Sequence, residues 1–212
     1  MLIKSLRKAF PDIGFLSEEI GEIKGSSDLK WVIDPIDGTT NFAHGFPFYA
    51  ISVALEKDKK PLLGMVYDPE RGELFCAERG HGAFLNGKRI EVSAQKDLKK
   101  SLLMTGFSYK LGKTMESNLR HFRNFLVSSQ AVRRAGSASL DLCSVACGRL
   151  DGYWELELNP WDTAAAWLIV KEAGGEVTTF SGKPYNHYLK EILASNGKIH
   201  RQMSKILSKN IS

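Results

Sequence analysis

Cysteine is scarce in this chain: 212 residues carry three, Cys76, Cys143 and Cys147, and no two form a CxxC pair. That excludes a disulfide-stapled scaffold and a zinc ribbon, and Cys143 and Cys147, four apart on an expected helix, read as buried packing. The odd count, with no signal peptide, predicts a reducing, cytoplasmic setting. Long apolar runs are also missing. None approaches the roughly 20 residues needed to cross a bilayer, so no membrane partner is expected. Histidine is sparse, five in all. His44 has no second histidine near it and reads as a surface or hydrogen-bonded residue rather than a ligand. Internal repeats and low-complexity segments are absent as well.

Charge of one sign is nowhere concentrated. Lys and Arg number 29 against 24 Asp and Glu, for a net charge of +5. That mild excess is not a nucleic-acid signature, and no nucleic-acid partner is expected. Its densest patches, Lys57, Lys59 and Lys60 and then Lys96, Lys99 and Lys100, read as solvated loops, with a field favouring an anionic substrate as the alternative. Hydrophobic residues at 43% are ordinary for a globular protein, and this length holds one large domain or two intimate lobes.

The stretch that stands out is Trp31-Val32-Ile33-Asp34-Pro35-Ile36-Asp37-Gly38-Thr39-Thr40. Its apolar β-formers predict a buried strand, expected to end at Asp34 because Pro35 cannot donate to a ladder. Gly38 allows a bend, and Thr39 and Thr40 can cap a following helical turn. The two carboxylates suit a hard cation, and the free N–H groups beside them suit an anion. A metal-bound phosphate combines both needs. An Asp-Pro-x-Asp-Gly run is equally the stuff of ordinary turns, so the rest of the chain has to decide.

Met1–Ala9 reads as the last turns of an amphipathic helix, and Ile13–Ser17 as a short strand. Residues 21–28 read as a polar loop. Tyr49–Leu55, Pro61–Tyr67 and Leu74–Glu78 form an expected antiparallel meander, followed by an Asn86-Gly87 hairpin. Beyond a lysine-rich connector at Ser93–Lys100 the pattern alternates. Strands are expected at Leu102–Thr105, Ala131–Arg134, Asp151–Leu156, Glu176–Phe180 and Ile192–Ala194, with helices at Met115–Val127, Ser137–Cys147, Pro160–Ala173 and Lys198–Lys209. The division is therefore a first lobe, 1–100, and a second α/β lobe, 101–212, together one unit.

Two further acidic features accompany the central pair: Ser17-Glu18-Glu19 at a strand end, and Asn159-Pro160-Trp161-Asp162, where the helix dipole alone could explain Asp162. Taken with Gly80-x-Gly82-Ala83-Phe84-x-Asn86-Gly87, Arg134-x-Gly136-Ser137-Ala138, Asp151-Gly152-Tyr153-Trp154-Glu155 and Glu172-Ala173-Gly174-Gly175, the chain resembles the inositol monophosphatase family along nearly its whole length. These are magnesium-dependent, lithium-sensitive sugar phosphatases, more distantly related to fructose-1,6-bisphosphatases. The resemblance implies an α/β (α+β) layered sandwich and, as is usual in the family, a homodimer.

It also implies roles. Glu18, Asp34 and the Ile36 carbonyl would hold one Mg²⁺, and Asp34, Asp37 and Asp162 a second. Gly38 and Thr39 would cradle the phosphate, with the Thr39 hydroxyl orienting the attacking water, so that Thr39, Asp37 and Glu18 form the catalytic set. Gly136, Ser137, Ala138 and Glu155 would meet the polyol, although Glu155 alone reads equally as a surface strand residue. The implied activity is hydrolysis of inositol-1-phosphate or a related small sugar phosphate. Fructose-1,6-bisphosphatase, histidinol-phosphate phosphatase and nucleotide phosphatase activities are alternatives, because the metal motif does not choose the substrate.

One departure stands out. The family's N-terminal segment, with a long first helix, a hairpin and an Asp that hydrogen-bonds the threonine matching Thr39, has no counterpart here. A non-catalytic metal-binding remnant is therefore the rival from another class, set against the intact Glu18, Asp34, Asp37, Thr39 and Asp162.

Overall fold

Alternation of buried and exposed side chains builds two sheets, and helices with apolar faces fill and cover them. The computed structural model describes residues 2–107 and 112–208; the ends of the expected first and last helices, Met1 and Lys209, lie outside them. The first sheet contains β1 (Gly14–Ser17), β2 (Gly21–Ile23), β3 (Leu29–Asp37), β4 (Ala50–Lys57), β5 (Lys60–Asp68), β6 (Glu73–Glu78), β7 (Gly82–Leu85) and β8 (Lys88–Ile90). Its order is β2-β1-β3-β4-β5-β6-β7-β8. Among the described residues β1 and β3 run parallel and the other neighbours antiparallel; β4, β5 and β6 form the expected meander, with β7 and β8 as its hairpin. Asn86 and Gly87, both at positive φ, make the tight β7–β8 turn their sequence calls for.

The second sheet contains β9 (Leu102–Thr105), β10 (Ala131–Arg133), β11 (Gly152–Leu156), β12 (Glu176–Thr178) and β13 (Glu191–Ser195), in the order β10-β9-β11-β13-β12. β9, β10 and β11 are parallel. Successive residues serve opposite faces. Tyr153 and Met104 join the core between the sheets, while Trp154 and Leu103 join the one beneath.

Among the described residues six α-helices complete the layers: α1 (Leu2–Ala9), α2 (Thr39–Ala43), α3 (Lys113–Ser128), α4 (Ala138–Ala146), α5 (Pro160–Glu172) and α6 (His200–Ser208). α4 and α5 lie between the sheets and touch strands of both. They are correspondingly apolar almost all round. α5 sits so close to β5 that a Cβ on Gly64 would stand 2.6 Å from the Ala165 carbonyl oxygen. Only glycine against a run of alanines permits that approach. α3 and α6 cover the far face of the second sheet around Phe125 and Met203, and Ile3 and Leu6 of α1 pack on Phe15, Trp31, Ile33 and Val53 of the first.

Three local expectations are corrected. β3 does not stop at Asp34. Its register with β4 shifts between Asp34, opposite Ser52, and Asp37, opposite Ala50, so Pro35 and Ile36 occupy a bulge in which the missing N–H costs no ladder bond. Residues 21–28 are not all loop, because Gly21–Ile23 pairs with β1 as an edge strand. Neither Thr39 nor Thr40 caps α2. The cap is Gly38, at φ 94° and with no side chain to donate or accept.

Candidate active site

The carboxyl ends of the parallel strands point to one place. β1 and β3 of the first sheet and β9, β10 and β11 of the second all end around a cleft of about 400 Å³, the usual location for ligands in parallel α/β sheets. Glu18, Asp34, Ile36, Asp37, Gly38, Thr39, Gly136, Ala138, Glu155 and Asp162 line it. Of the residues expected at the site, Ser137 alone is not in the lining. It is fully buried behind the wall.

Each acid is fixed by its local fold. Asp34 follows the buried Trp31-Val32-Ile33 run, is itself 2% exposed, and accepts the Ile36 N–H at 2.9 Å across the bulge. Asp37 Oδ2 accepts the Ser139 N–H and the Ser137 hydroxyl, both at 2.7 Å, and the Ser139 hydroxyl as well. Its carboxylate thus sits at the N-terminus of α4, where helix N–H groups favour negative charge. Asp162 Oδ2 accepts the Asn159 N–H at 2.7 Å in the capping box that begins α5. Gly38 turns the chain where a Cβ would press on Phe48 O at 3.1 Å and Gly136 O at 3.2 Å. The exposed Thr39 donates its hydroxyl proton to Ile36 O at 3.0 Å.

Burial dominates the electrostatics of these carboxyls, and their closeness adds to it. Burial, then the charges of Asp37, Asp162 and Glu18, push Asp34 up to about 9. Burial and Asp37 push Asp162 up to about 8. Burial pushes Glu155 up to about 7 although the Tyr153 hydroxyl, donating to Oε2, pulls the other way. Burial also raises Asp37 against the pull of its serine donors, and raises Glu18 with help from Glu19 and Asp37. Carboxyls raised by burial first and by one another's charge second are groups that a cation would satisfy.

The donor chemistry fits a hard divalent ion: four carboxylates and the Ile36 carbonyl, all oxygen, with no thiol or imidazole among the described residues of the lining. Among the described residues no three His, Cys, Asp or Glu side chains are gathered closely enough to enclose an ion as they stand. Asp37 Oδ2 is taken up by its serine donors.

The motif reading missed several residues. Ser139, which contributes two donors to Asp37, carries no motif beyond its place two residues after Ser137. Arg134, whose charge lowers the Glu155 carboxyl, was seen only as part of a matching segment. Glu157, Asn159 and Lys190 also line the cleft. Lys190 lies far along the chain in an unremarkable loop, and nothing local could have marked it.

The chain belongs to the inositol monophosphatase family, whose profile matches residues 1–212. Its relatives include the inositol-1-monophosphatase of Synechocystis sp., 46% identical over 98% of this chain and 73% of the relative. A putative Nus factor SuhB of Neisseria meningitidis serogroup B is 44% identical over the whole chain and 81% of that protein. Among solved structures, the inositol monophosphatase of Anabaena (Nostoc) sp. superposes with a TM-score of 0.93 at 41% identity, over 99% of this chain and 83% of that one.

Proposed function

We propose that the chain is a Mg²⁺-dependent phosphate monoester hydrolase acting on inositol-1-phosphate or a related small sugar phosphate. The observation that carries this reading is Asp34: a nearly buried carboxyl, pushed up to about 9 by burial and by three facing acids, beside a glycine turn at the mouth of a polar cleft. Glu18, Asp34 and the Ile36 carbonyl would hold one Mg²⁺, and Asp34, Asp37 and Asp162 a second. Bound there, Mg²⁺ supplies charge neutralisation for the phosphate and a more acidic water.

The chain's own groups do the rest. The N–H groups of Gly38 and Thr39 receive phosphate oxygens where no Cβ obstructs them. Thr39 Oγ1 commits its proton to Ile36 O, so its lone pairs face outward to accept from, and orient, the attacking water. Glu155, held by Tyr153, and the lining residues Gly136 and Ala138 meet the polyol hydroxyls, while Ser137 behind them supports Asp37. Phosphoryl transfer asks mainly for this positioning and charge stabilisation. The two lobes, 1–100 and 101–212, act as one unit, and a homodimer is the expected assembly.

The test is phosphate release from inositol-1-phosphate, fructose-1,6-bisphosphate and histidinol phosphate, with Mg²⁺ and with EDTA. Mg²⁺-dependent release supports the reading and ranks the substrates; silence on all three moves it to the non-catalytic metal-binding alternative. A second reading draws on the name Nus factor borne by relatives such as the Neisseria protein: the chain has a macromolecular partner as well. Binding of RNA by mobility shift, against the expectation of no nucleic-acid partner, would support it.

A further inference from the structure

Position 106 is a glycine for room rather than for conformation. Gly106 follows β9 and lines the cleft, and its backbone is outside the left-handed region that favours glycine. The three nearest atoms to an added Cβ all belong to one group, the Glu155 carboxylate, and the Cβ would land on both of its oxygens. The sheet register explains the encounter. β9 and β11 run parallel, with Thr105 beside Trp154 as their last pair. One residue further along, Gly106 comes beside Glu155, and residues side by side on neighbouring strands project to the same face. The Glu155 carboxylate therefore occupies the space that any other residue at 106 would fill.

Gly106 is itself pinned. Its carbonyl accepts from Asn118 Nδ2 at 2.6 Å, and Asn118 Oδ1 accepts the Trp154 Nε1–H at 3.0 Å. Asn118, on α3 and 3% exposed, thus ties the end of β9 to the residue preceding Glu155 on β11. Thr105 Oγ1 adds a bond to the Trp154 carbonyl at 2.7 Å. The Tyr153 hydroxyl donates to Glu155 Oε2. A bare backbone fixed by Asn118, together with one tyrosine donor, defines where the carboxylate stands.

We propose that Gly106, fixed by Asn118, is a specificity-determining position: it lets the Glu155 carboxylate reach the hydroxyls of the departing alcohol, and a side chain at 106 costs the chain its preference for a polyol ester. Both are positioning residues, acting through Glu155 and not on the phosphate. The proposal rests on the hydrolase reading for the role of Glu155 toward the polyol.

The experiment compares kcat/KM for inositol-1-phosphate with that for phenyl phosphate, whose leaving group carries no further hydroxyl. It uses the full chain, Gly106→Ala, Glu155→Ala, the double variant and Asn118→Ala. Gly106→Ala is expected to lower the ratio of inositol ester to phenyl ester about tenfold or more, through KM for the inositol ester, as a displaced charged hydrogen-bond partner requires. Added to Glu155→Ala it should lower the ratio no further, because the group it displaces is gone. Asn118→Ala, which frees the Gly106 carbonyl without placing an atom against the carboxylate, should lower the ratio by less. Equal losses on both esters in Gly106→Ala, or losses that add to those of Glu155→Ala, overturn the proposal. A ratio unchanged in Asn118→Ala overturns the part given to Asn118.

Carboxyl ¹³C NMR of the glutamate-labelled chain in EDTA tells this failure from failure of the hydrolase reading. The Glu155 signal, assigned by its loss in Glu155→Ala, should titrate near pH 7 in the wild-type chain and move down toward 4.5 in Gly106→Ala, as the displaced carboxylate meets water. If neither ester is hydrolysed but the signal moves, the hydrolase reading fails and the positioning stands. An unmoved signal overturns the proposal whatever the turnover.

Discussion

Asp37 and Ser139, 102 residues apart, are joined by a 2.7 Å bond from the Ser139 N–H to Asp37 Oδ2. The bond fastens the end of β3 in the first sheet to the first turn of α4 between the sheets. Ser137 reinforces it, donating to the same oxygen while accepting the Leu140 N–H as the cap of α4. Ser137→Ala therefore removes a cap and a bond to a buried carboxylate at once. The expected cost is about 1–2 kcal/mol, a fall in Tm of about 2–8 °C, which differential scanning calorimetry reads directly.

Asp34→Asn should reduce phosphate release to background while the chain stays folded, because the carboxylate faces three other acids and would serve both metals. The independent readout is thermal. Mg²⁺ should raise the Tm of the wild-type chain by mass action on the folded state and leave that of Asp34→Asn nearly unmoved. Normal turnover of the variant at saturating Mg²⁺ would sink the metal assignment.

Glu56 offers a pH dependence away from the cleft. Burial pushes its carboxyl up, but Nε2 of the buried His187 and the Tyr188 hydroxyl, both at 2.6 Å, together with Lys30 outweigh burial and hold it below the ordinary 4.5. A depressed folded-state value means stability that is complete above the unfolded value and lost as pH falls through the folded one. Glu56→Gln should be less stable than wild type at pH 7, by about 1–3 kcal/mol, and the gap should close below about pH 4.5. Urea midpoints across that range decide it, and a gap that widens in acid would contradict the network.

Glu157 holds a left-handed conformation, φ 66°, that costs a residue with a Cβ about 1–2 kcal/mol. Glu157→Gly relieves it at the expense of unfolded-chain entropy and the bond that Glu157 accepts from the Thr114 hydroxyl at 3.3 Å. A net gain of about 0.5 kcal/mol is expected. Chemical denaturation would show a raised midpoint, and a lowered one would mean that the Thr114 contact outweighs the strain.

Much of this was legible along the chain because it depends on neighbours. Hydrophobic alternation marked the meander, Asn86-Gly87 its last turn, and Pro160 with Gly174-Gly175 the two ends of α5. Reading failed where the answer depended on something distant. Pro35 looked like a strand terminator, yet pairing with β4 absorbs it in a bulge. Gly21–Ile23 looked like loop, since a three-residue edge strand exists only because β1 lies beside it. Ser139 and Lys190 had no motif at all.

The sequence by itself determined the chemistry available. Glu18, Asp34, Asp37, Asp162 and Thr39 carry oxygen ligands in or beside predictable strands and helices, and the spacing of apolar residues locates those elements. Only the tertiary structure decided what these groups feel. The upward shifts of Asp34 and Asp162 arise from burial and from charges brought together across two sheets. The cleft wall that unites Glu157 with Lys190 exists only where the turn before α5 meets the turn before β13. Periodicity is a property of neighbours in the chain, whereas charge and burial act through space.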